Sequence, residues 1–211
     1  MNIEDEFLNN HVIGDPGMMS ACQIKHILKN LREVLEADIP GDVVELGCNF
    51  GTTSVFIRRM LDHYNSDKIF HVYDSWEGLP QKSEEDGNTG NFRKGSCKVT
   101  ISHFHFAFNH EKLKLPVIHS GWFSDIPAEE YPDNICFAFF DGDFYSSIID
   151  SFTKVYPKLV KGARVLIDDY EHPKLPGCPK ACQDYLSDKP ETIEVLKDDT
   201  GRASEGLLIK I

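Results

Sequence analysis

Residues 43–54 read Val43-Val44-Glu45-Leu46-Gly47-Cys48-Asn49-Phe50-Gly51-Thr52-Thr53-Ser54. The first four suit a short buried strand, the two glycines mark a tight turn, and the hydroxyl residues open a helix. That helix is predicted over 52–64, with Val55, Phe56, Ile57, Met60 and Leu61 turned inward. A second strand, 69–73, then ends at Asp74. A strand–helix–strand order of this kind makes the strands parallel, with the helix crossing over the sheet.

Working outward, Met18, Cys22, Ile24, Ile27, Leu28, Leu31, Val34 and Leu35 recur at helical spacing and predict a helix over 18–37, stopped by Pro40-Gly41. Strands are predicted over 115–121, 135–140 and 163–167, and helices over 145–156 and 179–186. Two last strands, 194–197 and 207–211, are separated by an Asp-Asp-Thr-Gly turn. The stretch 99–108 is rich in Phe, Ile and Val, which favour a strand, yet the alternating order requires a helix; helix is assigned. The whole of 1–211 reads as one doubly wound α/β domain with an N-terminal helical segment (1–40). Residues 81–98 are charged, contain Gly and Asn, and have little to bury, so they read as a mobile lid or loop.

Composition narrows the function. Of 211 residues, 41% are hydrophobic and 27% charged, ordinary values for a folded protein. Lys plus Arg number 22 against 34 Asp plus Glu, a net charge of −12. A field of that sign repels nucleic acid and anionic lipid. Six cysteines are too sparse for a disulfide scaffold, and the Cys178/Cys182 pair has no second pair at zinc-site spacing. The acidic start lacks the order of a signal peptide and no apolar run is long enough to span a bilayer, so a cytoplasmic setting is expected.

In open parallel sheets, ligands bind beyond the carboxyl ends of the strands. The 45–51 loop follows an acidic-x-Gly-x-x-x-Gly pattern. Asn49 stands where a pyrophosphate fingerprint needs glycine, and no Walker lysine follows. Glu45 also sits badly near phosphate and suits an amine or hydroxyl donors. Asp74, ending the next strand, can accept both hydroxyls of a ribose. A ligand with a nucleoside, no phosphate and an amino-acid tail is S-adenosylmethionine.

Two more strands end in acids, Phe140-Asp141-Gly142-Asp143 and Ile167-Asp168-Asp169, with one helix between them. If those strands are neighbours, their acids meet at the edge that holds the glycine loop. Carboxylates gathered there need protons or a cation, and hard oxygen ligands suit Mg²⁺. Asp141, Asp168 and Asp169 are the expected ligands, while Asp143 reads as an acid at the start of the following helix. This DxD…DD pattern also resembles haloacid-dehalogenase-type phosphatases, but their DxD lies near the N-terminus with other motifs before the DD, and that order is absent.

Taken together, the chain resembles the macrocin/mycinamicin-type (TylF-like) O-methyltransferase family. The resemblance rests on VVELGCNFGTTS (43–54), YDSWEGLP (73–80), GWFSDIP (121–127), FAFFDGDFYSSIIDSFTKVYPKLVKGARVLIDDY (137–170) and GCPKACQDYL (177–186), about two thirds of the chain. It implies a Rossmann-like class I methyltransferase fold, a mostly parallel seven-stranded sheet with helices on both faces and an antiparallel C-terminal strand. It implies that Glu45, Gly47, Asn49, Gly51 and Thr52 frame the methionine and ribose end of S-adenosylmethionine. Asp74 and Ser75 would hold ribose and adenosine, and Gly121 and Trp122 would flank adenine. Asp141, Asp168 and Asp169 would bind Mg²⁺, with Asp141 also the general base. The implied reaction is methyl transfer to a hydroxyl of a small molecule, a sugar or natural-product diol.

Residues 81–111 match no pattern of the family, which leaves the acceptor open. His103, His105 and His110 there read as packing or surface residues, while His172 is placed nearer the acids. Two other classes stay open on sequence: a non-catalytic S-adenosylmethionine-binding or accessory protein, and an NAD(P)-dependent oxidoreductase. Homo-oligomerisation is also open.

Overall fold

Valines at 43 and 44 put side chains on opposite faces of a strand, and both are fully buried, so this strand must lie mid-sheet and be covered twice. In the computed structural model, which describes residues 3–10, 19–198 and 203–211, that is so. The elements in chain order are α1 (Ile3–Asn10), α2 (Ala21–Glu36), β1 (Asp42–Leu46), α3 (Thr52–His63), β2 (Phe70–Asp74), α4 (Ile101–His110), β3 (Val117–Ser120), β4 (Ile135–Phe140), α5 (Tyr145–Val155), β5 (Leu159–Ile167), α6 (Gly177–Leu186), β6 (Ile193–Lys197) and β7 (Ala203–Ile209). The sheet has seven strands in the order β3-β2-β1-β4-β5-β7-β6.

Strands β1 to β5 are parallel, with Val43 opposite both Phe70 and Phe137 and Phe140 opposite Ile167. Strand β7 runs antiparallel to β5 and β6, which supplies the antiparallel strand near the C-terminus. The chain winds outward from β1 to β3, then returns to the middle and winds the other way from β4. Ends of β1 and β4 therefore bound the crevice where a ligand is expected.

Side chains divide by face. Val43, Val72, Phe137, Phe139 and Leu166 pack under α2, α3 and α4. Val44, Leu46, Ala138, Phe140, Val165 and Ile167 pack under α5 and α6. Period-2 alternation thus builds two cores from one sheet.

The differences from the sequence reading are local. Helix α2 starts at Ala21 because Ser20 caps it: Ser20 Oγ accepts from Gln23 N (3.2 Å) and Gln23 Oε1 accepts from Ser20 N (2.9 Å). Residue 18, and most of the turn expected before the last strand, lie outside the described residues. Helix α1 falls in the polar start of the expected 1–40 helical segment, where no separate helix is predicted; it docks through Phe7 against His63 and Glu4 against Arg32 (2.7 Å). The ambiguous stretch near 100 is helix, as alternation demanded, and His103 Nδ1 reaches back to Thr100 Oγ1 (3.3 Å) at its first turn. Strand β5 begins four residues earlier than expected, at Leu159. Residues 81–98 contain neither helix nor strand, yet they are well tethered: Leu79 N donates to Ser96 O (2.8 Å) and Gly95 N to Leu79 O (2.9 Å).

Candidate active site

In the crevice, Gly47 has φ +90° and sits so close to the Asp141 backbone that a Cβ would lie 1.9 Å from the Asp141 carbonyl oxygen. Only glycine fits there. The loop it begins is held from below and beside. Asp74 Oδ2 accepts from the backbone N–H groups of Cys48 (3.1 Å) and Asn49 (2.9 Å), and Oδ1 accepts from Trp76 N (2.8 Å). Burial raises the Asp74 carboxyl, and these three amides pull it back down. The residue expected on the ribose is therefore also the latch of the glycine loop.

Asn49 adopts a left-handed conformation (φ 44°), which its short polar side chain tolerates. Its Oδ1 accepts from Phe50 N and its Nδ2 donates to the Cys97 carbonyl, both at 2.7 Å, so the loop is tied to the 81–98 stretch. Glu45 lies beneath, 1% exposed; Ser54 Oγ donates to Oε2 while Oε1 has no partner. Burial pushes its carboxyl up to about 8.

The other end of the crevice is acidic. Main-chain bonds from Asp141 N to Leu46 O and from Asp168 N to Phe140 O, both 2.8 Å, carry the sheet ladder past the strand ends and set the acids side by side. Burial, then repulsion by Asp168 and its neighbours, raises Asp141 well above the ordinary carboxylate range. Burial and Asp169 do the same to Asp168, although Gln23 Nε2 donates to its Oδ1 at 2.7 Å and opposes the rise. Asp169 is raised by burial and pulled down by His172.

Asp143 departs from the expectation. It is not the cap of α5, whose N-cap residue is Phe144 and whose first N–H, from Tyr145, is taken by Asp86 Oδ1 at 2.7 Å. With φ 58°, matched by φ 54° at Asp169, Asp143 instead turns into the crevice and shares a hydrogen bond with Asp169. Burial and Asp169 push it up to about 8. The local preference for an acid at a helix start is overridden by the loop's left-handed turn.

A single cavity of 560 Å³ joins the two ends. Gly47, Asn49, Asp74, Ser75, Gly121, Trp122, Asp141, Asp168 and Asp169 all line it. Glu45, Gly51 and Thr52 are not among the lining residues; Gly51 (φ +85°) and Thr52 turn the chain into α3, with Gly51 pressed against Phe104. Among the described residues, no three His, Cys, Asp or Glu side chains converge, as they stand, on a point suited to a metal ion. In charge and hardness the carboxylates of Asp141, Asp168 and Asp169 fit Mg²⁺.

The family model described as macrocin-O-methyltransferase (TylF) matches residues 15–200. The chain belongs to this family. It is 30% identical over 177 residues to demethyldecarbamoylnovobiocin O-methyltransferase of Streptomyces niveus, covering 80% of this chain and 66% of that protein. To mycinamicin III 3''-O-methyltransferase of Micromonospora griseorubida it is 26% identical over 179 residues, covering 80% and 68%. The solved O-methyltransferase NovP superposes with a TM-score of 0.78 at 25% identity, over 93% of this chain and 83% of that one. The chain thus spans about two thirds of the length of these curated relatives.

Within this TylF-family fold, several lining residues were not singled out from sequence: Gln23, Phe92 and Cys97, which lie outside the quoted motifs, and Asp150, which lies within the 137–170 stretch. Gln23 has a visible signal, its place three residues after Ser20 in a capping pattern, but that explains the cap and not the reach to Asp168. His172 lines the cavity, whereas His103, His105 and His110 do not. No described helix is long and apolar enough to cross a membrane.

Proposed function

We propose that this protein transfers a methyl group from S-adenosylmethionine to a hydroxyl of a sugar or other natural-product diol. The observation that carries the reading is one cavity with a glycine loop unsuited to phosphate and latched by Asp74 at one end, and four aspartates, one buried and three half-buried, at the other. The loop and Asp74 would hold the amino-acid tail and ribose, with Glu45 supporting the loop from below. Gly121 and Trp122 would flank the base. Asp141, Asp168 and Asp169 would hold Mg²⁺, which when bound supplies the Lewis acidity that makes an aliphatic hydroxyl a competent nucleophile near neutral pH.

The chain's own work is alignment and proton transfer. The acceptor oxygen, the methyl carbon and the sulfur must lie in line, in a site closed to water. As the O–CH₃ bond forms and the S–CH₃ bond breaks, the hydroxyl proton passes to a carboxylate, leaving S-adenosylhomocysteine and a methyl ether. Asp141 can take that proton. Asp143, beside it and outside the expected ligand set, can take the proton in the fraction of molecules where it is ionised.

The two aspartates separate these roles. Asp141→Asn should abolish turnover and weaken Mg²⁺ binding, while S-adenosylhomocysteine binding by calorimetry stays within about threefold. Asp143→Asn should lower kcat by about 10²-fold or more with Mg²⁺ binding intact. Full activity of wild-type protein in excess EDTA would remove the metal from the reading.

A further inference from the structure

Helix α2 carries two stripes. Ile24, Ile27, Leu28, Leu31 and Val34 are buried against the core. Beside them a second row at helical spacing, Gln23, His26, Asn30 and Glu33, is polar throughout, and none of the four is exposed. This polar row lies along β5 and β7. Arg164 of β5 donates from Nη1 to Asn30 Oδ1 (2.7 Å) and from Nη2 to Glu33 Oε2 (2.6 Å). His26 Nδ1 shares a hydrogen bond with Oε2 of the buried Glu205 of β7 (2.5 Å). One turn earlier, Gln23 Nε2 donates to Asp168 Oδ1 (2.7 Å). The row thus climbs β5 to the acids beyond its end.

Gln23 uses both ends of its amide. Oε1 accepts from Ser20 N (2.9 Å) at the helix start, while Nε2 reaches the carboxylate. Turned over, the amide would set its NH₂ against an N–H and its oxygen against a carboxylate, so its orientation is fixed. The rest of the row keeps α2 in register with β5. Sliding the helix by one residue would carry the amide about 1.5 Å along the axis and about 100° around it. Asp169 meets Asp143 within the crevice, whereas Asp168 is held by a side chain 145 positions earlier in the chain.

A carboxylate with one oxygen engaged by an amide offers a cation the other. That suits Mg²⁺, which is small and demands a near-ideal octahedron. Ca²⁺ is larger, accepts more oxygens, and can use both oxygens of one carboxylate.

We propose that Gln23 is a positioning residue of the acid site: by engaging Asp168 Oδ1 it presents Asp168 to a cation through a single oxygen, and so favours Mg²⁺ over Ca²⁺. The inference rests on the Mg²⁺ reading and adds a residue, outside the acids, that sets which cation they take.

Gln23 also serves the start of α2, so the test separates its two bonds. Gln23→Glu keeps an acceptor for Ser20 N and loses the donor to Asp168. Gln23→Met loses both, and Ser20→Ala removes the Oγ half of the cap while leaving the amide. Each protein is titrated calorimetrically with Mg²⁺ alone and with Ca²⁺ alone, then with S-adenosylhomocysteine, and its melting temperature is recorded. The ratio of the Ca²⁺ to the Mg²⁺ dissociation constant should fall about fivefold or more in both Gln23 variants, with Mg²⁺ binding about tenfold weaker in Gln23→Met. Ser20→Ala should melt lower yet keep the ratio within about twofold, and S-adenosylhomocysteine affinity should stay within about twofold throughout. A ratio unchanged in either Gln23 variant, even with both cations bound more weakly, would overturn the proposal, as would an equal fall in Ser20→Ala. Wild-type protein that binds S-adenosylhomocysteine but neither cation would strike the Mg²⁺ reading itself, and the proposal with it.

Discussion

Glu45 and Asp143 are both carboxyls that burial raises to about 8, but only Asp143 faces the cavity. Glu45 has one hydrogen bond, from Ser54, and one oxygen with no partner among the described residues, an arrangement that favours the protonated acid. Its ordinary value is 4.5, so between that and about 8 the unfolded chain is ionised here and the folded one is not. The contribution to stability is therefore full below about 4.5 and is lost as pH rises through about 8. Glu45→Gln removes that titration. Melting curves at pH 5, 7 and 9 should show the wild type losing stability faster than the variant toward pH 9; parallel curves would count against a buried neutral acid. Glu45 was legible as an acid inside a strand, but its partner Ser54 and its place beneath the cavity were not, because both depend on where α3 comes to rest.

At the scale of elements, the start of α5 shows where local rules stop. Sequence offers Asp143 as the acid at the helix start, and that reading is sound in isolation. The cap comes instead from Asp86, distant in sequence and part of a stretch with no regular structure. Asp86→Ala should cost about 1 kcal/mol in urea denaturation, typical of a lost cap, and more if the bonds to Ser83 go with it. The sheet, by contrast, was legible almost strand by strand, because apolar runs such as Ile135–Phe140 are buried at every residue and leave no ambiguity of face. Helix α1 was legible only as part of a helical segment over 1–40, for the opposite reason. Ile3, Phe7 and Leu8 pack only partly against the core, and the Glu4–Arg32 pair that helps seat it joins residues from different helices.

For the whole molecule, the antiparallel end of the sheet is fastened by charge. Glu191, ahead of β6, receives Tyr156 Oη at 2.5 Å and Lys210 Nζ at 2.6 Å, linking the end of α5 to both last strands. Burial alone would raise Glu191, but the bonds from Lys210 and Tyr156 outweigh it and hold the carboxyl down at about 2. A lowered carboxylate stabilises the fold above its ordinary 4.5 and loses that contribution as pH falls through about 2. Acid titration followed by circular dichroism should find Glu191→Gln less stable than wild type at pH 6, with the gap closing below pH 4. A gap that stayed constant to pH 2 would mean that packing, not charge, joins these elements.

The bond from Asn49 to Cys97 has a consequence of another kind. It links the loop that would carry the methyl donor to residues 81–98, which line the same cavity through Phe92 and Cys97, so whatever orders one of them is felt by the other. Thermodynamic reciprocity then binds the two ligands together: the factor by which S-adenosylhomocysteine tightens an acceptor must equal the factor by which that acceptor tightens S-adenosylhomocysteine. Asn49→Gly keeps the left-handed turn and removes the tether. It should bring both factors toward one while leaving each ligand able to bind alone, and calorimetry in the four combinations reads this directly. A side chain that replaces glycine in the cofactor loop would then serve as the wire by which this protein senses that both of its ligands have arrived.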